Sequence, residues 1–249
     1  MIRMKKILVA NWKMHKTRRE ALSFLAALQE PERLSLKIAA PYTLLADLVD
    51  ACHGREVEIG AQNMHEAASG AYTGEISLGM LRDVGAKFVL IGHSERRHLF
   101  KESDEEIQAK VERAVVEGFP LILCVGETEE EKNQGETEEV LKRQLLSALE
   151  ELSVEQLEKV LIAYEPVWAI GTGKNAIPSD VNNTHRSIRD ILFQSLGGAP
   201  PILYGGSVSV ENISDFLRFE HIAGALVGGA SLEVSNVNQM IQKIEFLEV

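Results

Sequence analysis

A glutamate closes the apolar run Val160-Leu161-Ile162-Ala163-Tyr164-Glu165 and is followed at once by Pro166-Val167-Trp168-Ala169-Ile170-Gly171-Thr172-Gly173-Lys174. A carboxylate at a strand end is placed to take a proton from a bound carbon acid, provided that water is kept out while it does so. The segment behind it has the composition of a lid. Pro166 fixes one backbone angle at the entry, Gly171 and Gly173 permit conformations that other residues resist at the exit, and the residues between can swing as a unit. On spacing alone Glu165 reads as well as an ordinary strand-end carboxylate, so its chemistry is judged together with the other reactive groups.

Lys13 stands just after the first apolar run. Its alternation with Trp12 points it inward, where one cation beside Asn11 would hold an anion and stabilise negative charge developing on an oxygen; the plainer reading is a snorkelling surface lysine. His93 ends the fourth run, before Ser94-Glu95-Arg96-Arg97, which can start a helical turn. A helix N-terminus favours a neutral ring that donates a hydrogen bond to a carbonyl oxygen. Gly205-Gly206-Ser207 and Gly228-Gly229-Ala230-Ser231 follow the seventh and eighth runs. One Gly pair is more often a turn than a site, but two pairs after adjacent strands offer the bare amides and helix start that suit a phosphate dianion. Gly171-Thr172-Gly173-Lys174 has the look of a nucleotide loop. Trp168 occupies the place of its first Gly and Asn175 that of its Ser/Thr, which excludes ATP or GTP. No metal site is expected: His15, His53, His65, His98, His185 and His221 lack paired Cys or carboxylate spacing, and Cys124 reads as packing rather than as a nucleophile. A Schiff-base aldolase would want a lysine at a barrel strand end, where the sixth run has Glu165.

These groups need elements to bring them together. Short apolar runs rich in β-branched residues recur at 7–10, 36–40, 57–61, 87–91, 121–125, 160–164, 202–204 and 223–227. Between them lie segments of helical period, such as Ala21, Leu22, Phe24, Leu25 and Leu28, or Ile107, Val111 and Val115. Near-continuous apolar strands imply a sheet buried on both faces and hence parallel. Eight βα units in 249 residues predict a single-domain α/β fold, the closed (β/α)8 barrel. The rival is an open doubly wound sheet, but no Gly-rich dinucleotide fingerprint follows the first strand. No linker composition divides the chain, and the charge run 127–132 reads as the start of a solvated helix. In a barrel the polar residues after the strands, among them Asn11, Lys13, Gln62, Asn63, His93, Glu127, Glu165 and Ser207, all gather at one end.

A net charge of -11 argues against a nucleic-acid or anionic-membrane surface. The basic then apolar start stops at Asn11, too early for a secretion signal. No run reaches transmembrane length, and Cys52 and Cys124 do not make a disulfide framework; the expectation is a cytoplasmic protein.

The string Ala163 to Lys174, with Asn11-Trp12-Lys13-Met14, His93-Ser94-Glu95-Arg96-Arg97, Tyr204-Gly205-Gly206-Ser207 and Leu226-Val227-Gly228-Gly229-Ala230-Ser231-Leu232, resembles the triosephosphate isomerase family from end to end. The resemblance implies interconversion of dihydroxyacetone phosphate and glyceraldehyde 3-phosphate without a cofactor. It makes Glu165 the base, His93 the electrophile, Lys13 the cation facing the substrate, and Glu95 the partner that orients Lys13. It assigns Asn11, Lys13, Gly171, Ser207, Gly228 and Gly229 to substrate binding, Ile170 and Leu226 to an apolar clamp, and Tyr204 and Ser207 to holding the closed loop. Residues 62–77, with Thr73 and Glu75, resemble a long loop that enters a second subunit near Met14 and His15, supported by Arg96 and Glu102, which implies a homodimer. Four positions depart from the family's usual residues: Ala10 replaces Gly, His15 Asn, Leu78 Pro, and Ile177 Ser or Thr. His15 and Leu78 bear on the details of the dimer contact. Two other readings stay open at this point, a barrel that binds phosphate ligands without turnover and another sugar-phosphate barrel enzyme. Intact Lys13, His93 and Glu165 speak against the first, since binding alone needs no aligned base.

Overall fold

Val, Ile and Leu favour the extended backbone, and in the computed structural model, which describes residues 5–171 and 176–247, the apolar runs become eight strands. They are β1 (Lys6–Asn11), β2 (Leu34–Ala40), β3 (Val57–Ala61), β4 (Val89–Ile91), β5 (Leu121–Val125), β6 (Val160–Tyr164), β7 (Ile202–Tyr204) and β8 (Gly224–Val227). All pair in parallel in chain order, and β1 closes the sheet by pairing with both β2 and β8, Leu8 standing beside Leu36 on one side and Ala225 on the other. The expected order and strand count hold. β4 is shorter than its run, although Lys87 donates to the Ile59 carbonyl (2.8 Å) and the Phe88 carbonyl accepts the Ala61 N–H (3.0 Å); the Phe88 ring lies across Gly60.

Two packing layers follow from the alternation of side chains along each strand. Val9, Ala39, Phe88, Leu90, Ile122, Cys124, Ala163, Leu203 and Leu226 point into the barrel and fill it. The other faces, among them Leu8, Leu36, Ile38, Val89, Leu123 and Ile162, meet the apolar stripes of the helices. The helix Asp104–Val116 buries Ile107, Val111, Ala114 and Val115, as its period predicts. Cys124 is wholly buried, and burial, with Glu165 nearby, pushes its thiol well above the usual range. The charge run 127–132 needs a correction. Thr128 caps the helix Glu129–Gln134, which buries nothing, but Glu127 itself is buried, because the Tyr164 hydroxyl and the Trp168 indole N–H both donate to it. Thr172, Gly173, Lys174 and Asn175, which carry the end of the lid string, lie outside the described residues. Among the described residues no helix is long and apolar enough to cross a membrane.

Among the described residues, four helices begin with capping boxes, at Thr17, Ser103, Thr128 and Ser153. The helix Pro178–Leu196 has no side-chain cap, since Ile177 stands at its N-cap in extended conformation with its side chain exposed (61%). A hydroxyl there would accept one of the orphan N–H groups of the first turn. Ile177→Ser is expected to stabilise the protein by about 0.5–1 kcal/mol. Equilibrium unfolding in urea checks this, and a variant less stable than the parent would show that Ile177 contributes more by packing than a cap would add.

The same helix buries His185 completely against Tyr164, with the ring centroids 5.8 Å apart. Its Nδ1 donates to the His221 carbonyl (3.1 Å), and burial pulls its pKa down to about 3, the carbonyl only partly opposing that. The unfolded chain therefore binds this proton at higher pH than the fold does. The stability from a neutral His185 is complete above the unfolded value near 6.5 and is lost as pH falls toward about 3, with a limiting slope of about 1.4 kcal/mol per pH unit. His185→Gln should lose stability less steeply than the parent between these values. Urea midpoints across that window report it, and parallel slopes would mean that His185 is protonated alike in both states.

Candidate active site

The mouth of the barrel is assembled from strand ends. Asn11 is the last residue of β1, and its side-chain oxygen accepts the Lys13 backbone N–H (3.0 Å). Lys13 is left-handed, with φ 50°, a conformation that costs an ordinary residue about 1–2 kcal/mol. Gln62, just past β3, helps hold it there by donating to the Lys13 carbonyl (2.9 Å), the Ala39 carbonyl (3.0 Å) and the Asn11 oxygen (3.3 Å). The strained turn throws the Lys13 ammonium over the mouth, 2.7 Å from the Glu95 carboxylate. Burial raises the Glu95 pKa, but the hydrogen bond and charge of Lys13 outweigh it and keep the carboxyl below its ordinary value.

From β4 the chain turns through Gly92 into His93, the N-cap of the short helix Ser94–His98. His93 Nδ1 accepts the backbone N–H of Glu95 (3.2 Å), so the ring hydrogen sits on Nε2; the Glu95 carboxylate, 3.7 Å away, is too far to claim it. Nε2 faces Glu165 Oε1 at 3.1 Å, and the other Glu165 oxygen accepts the Ser94 N–H (2.9 Å). Glu165 is almost sealed from solvent, 2% exposed. Its main chain extends the β6 ladder, with its N–H on the Val125 carbonyl (2.8 Å). Gly205, after β7, is needed beside it, since a Cβ there would lie 2.7 Å from Glu165 Cγ.

Gly-rich backbone forms another part of the lining. After β8, Gly228 leads into the 3-10 turn Gly229–Leu232, where the Ser231 hydroxyl lies within donating distance of the Gly228 carbonyl (2.7 Å) and the Val227 carbonyl (2.9 Å). Gly205, Gly206, Ser207, Gly228 and Gly229 line one cavity of about 260 Å³ with Asn11, Lys13, His93, Glu165, Ile170, Gly171 and Leu226. Thus the residues expected to act on or bind substrate surround one space. Ser207 Oγ donates to the Ala169 carbonyl and so touches the lid segment, while Tyr204 lies fully buried below, stacked on Phe216 at 4.3 Å.

The residues read as an interface stand apart from this cavity. Met14 (94% exposed), His15, Thr73 and Glu75 are at the surface, and a neighbouring groove is lined by Met14, Tyr42, Gln62, Asn63, Arg96 and Phe100. The 62–77 loop is closed at its neck by a bridge between His65 and Ser77 and stiffened by the His65 and Tyr72 rings, 4.2 Å apart. Arg96 and Glu102 pair beneath the groove, and the buried Lys110 joins Glu102 to Asn63.

Four contributors escaped the assignment of roles from sequence. Gln62 and Glu127 signalled themselves only by following strands. The Ser94 amide has no side-chain signature, and Gln144 lies in the middle of a helix far from any strand end. Burial raises the Glu127 carboxyl, and the donors Trp168 and Tyr164 only partly offset it.

A family model described as triosephosphate isomerase matches residues 6–244. The chain is 44% identical over 244 residues to the triosephosphate isomerase of Fusobacterium nucleatum subsp. nucleatum, covering 95% of this chain and 97% of that one. It is 47% identical over 235 residues to that of Symbiobacterium thermophilum (91% and 92% covered), and 42% identical over 246 residues to that of Carboxydothermus hydrogenoformans (96% and 98% covered). With a closed eight-stranded parallel barrel and matches that run nearly from end to end, the chain belongs to the triosephosphate isomerase family.

Proposed function

We propose that this site interconverts dihydroxyacetone phosphate and D-glyceraldehyde 3-phosphate, with Glu165 as the base, within a chain that works as one barrel domain. The observation that carries the reading is the grouping of Lys13, His93 and Glu165 in one cavity with the bare Gly-rich backbone that follows β7 and β8. The amides of Gly171, Ser207, Gly228 and Gly229 receive the phosphate, where oriented N–H groups suit a dianion. The three-carbon end then lies between Glu165 and His93. Glu165 takes a proton from the carbon beside the carbonyl and returns it to the neighbouring carbon. His93 Nε2–H polarises the carbonyl oxygen and passes protons between the two oxygens. Lys13, oriented by Glu95 and seconded by Asn11, stabilises the negative charge on the enediolate. Only protons move, so no cofactor is required. Ile170 and Leu226 close over the carboxylate as an apolar clamp, and Ser207 and Tyr204 hold the lid, keeping water from the intermediate.

Glu165→Gln should lower turnover by about 10²- to 10⁴-fold, the contribution of a positioned base, and leave phosphoglycolate binding nearly intact. A coupled assay and a ligand titration measure the two. Near-parental turnover would remove Glu165 from the mechanism.

We infer further that the working unit is a homodimer, with the 62–77 loop of each chain entering the groove beside Met14 and His15 of the other. Exposed large apolar groups support it: Met14 and Phe100 line the groove, and Tyr72 stands on the loop. Thr73→Glu would force an unpaired carboxylate into that contact, a cost of several kcal/mol by order of magnitude, and should yield monomers with reduced activity. Sedimentation velocity decides: a variant that dimerises as tightly as the parent rules out this loop as the interface.

A further inference from the structure

β4 and β5 part company before the mouth. Their last register pair is Ile91 with Leu123, after which the chain leaves β4 through Gly92. The backbone groups of β5 that face β4 beyond this point lose their ladder partner, and buried main-chain groups left unpaired are costly. Two side chains take the place of the missing strand. Arg97 donates to the Cys124 carbonyl (3.2 Å) and to the Gly92 carbonyl (2.9 Å). Two residues on, Gln144 satisfies both groups of Gly126: its side-chain oxygen accepts the Gly126 N–H (2.8 Å), and its amide N–H donates to the Gly126 carbonyl (3.2 Å). Gln144 is buried in the middle of the helix Thr137–Leu149, so its amide is held by packing rather than by solvent.

The opposite edge of this same segment carries the base. The Val125 carbonyl accepts the Glu165 N–H (2.8 Å), and the Glu127 carbonyl accepts the Val167 N–H (3.0 Å), so Gly126 sits between the two bonds that fix the Glu165 main chain. The fit is close, since a Cβ on Gly126 would overlap the Glu165 carbonyl group. A shift of Gly126 is therefore passed directly to the backbone that aims the carboxylate.

We propose that Gln144 is a positioning residue for the base, holding the Gly126 peptide as a substitute strand so that Glu165 keeps its place; this rests on Glu165 being the base. A misplacement of about 1 Å costs a reaction up to about 10²-fold, so a partial relaxation should cost about tenfold. Gln144→Met keeps the length of the side chain and removes both bonds. Its kcat should fall about tenfold while KM and the inhibition constant of phosphoglycolate stay within about twofold, because most of the proposed phosphate amides, those of Ser207, Gly228 and Gly229, follow β7 and β8, which do not pair with β5. Assays are run at a temperature where circular dichroism shows parent and variant equally folded. In the Glu165→Asp background, where the carboxylate is already displaced, the same change should cost less than about twofold. An unchanged kcat, a loss expressed in KM, or an equal loss in both backgrounds would each overturn the proposal and leave Gln144 a structural amide. Should Gln144→Met not fold, Gln144→Asn, too short to span both groups, is read by the same kcat and KM pattern with the same outcomes. Failure of the base assignment itself would appear separately, as retained turnover in Glu165→Gln.

Discussion

Closure of an all-parallel sheet imposes one direction on eight strands at once, and the mouth of this molecule depends on that constraint. β1 pairs in parallel with both β2 and β8, and every other neighbouring pair is parallel too, so all eight strands run the same way. Every strand therefore delivers its last residue to the same rim. Asn11, His93, Glu165 and Gly228 come from far apart in the chain, and they meet at one cavity. The filled interior beneath, from Val9 to Leu226, gives that rim a rigid floor.

Charge at the rim is local. The chain carries a net charge of -11, yet among the described residues the cavity presents the Lys13 ammonium, held by Glu95, beside Gly-rich backbone. Field lines from a distant acidic surface are screened over about 10 Å in ordinary salt, whereas Lys13 acts at contact distance. The left-handed turn that presents Lys13 is held by hydrogen bonds from Asn11 and Gln62. In this way backbone strain at one residue is offset by side chains at the end of β1 and just past β3.

Much of this was legible in the sequence, for a physical reason. Strands buried on both faces must be apolar throughout, so runs such as 121–125 and 160–164 announce themselves, and the polar residue that breaks each run marks the rim. Strand ends were harder. Lys87 and Phe88 stand in the run read as the fourth strand, yet β4 begins only at Val89, and the Phe88 ring fits over Gly60, a packing fact that composition does not carry. Glu127 sits in a run of acids and reads as solvated; only the fold brings Tyr164 and Trp168 to it. Gln144 is the extreme case. Nothing in Arg143-Gln144-Leu145 signals a role, because the need it meets is created by the divergence of two strands elsewhere in the chain.

The closeness of Gly205 to the Glu165 side chain reaches beyond geometry, into how this chain can drift under mutation. Gly205 donates to the Tyr164 carbonyl through its backbone and has no side chain with which to do chemistry. Any replacement would nevertheless occupy the volume of the carboxylate's own methylene, so a substitution scan scored by activity would mark this position as intolerant as the base itself. Intolerance at such a site maps the space that a reactive group fills rather than the groups that react.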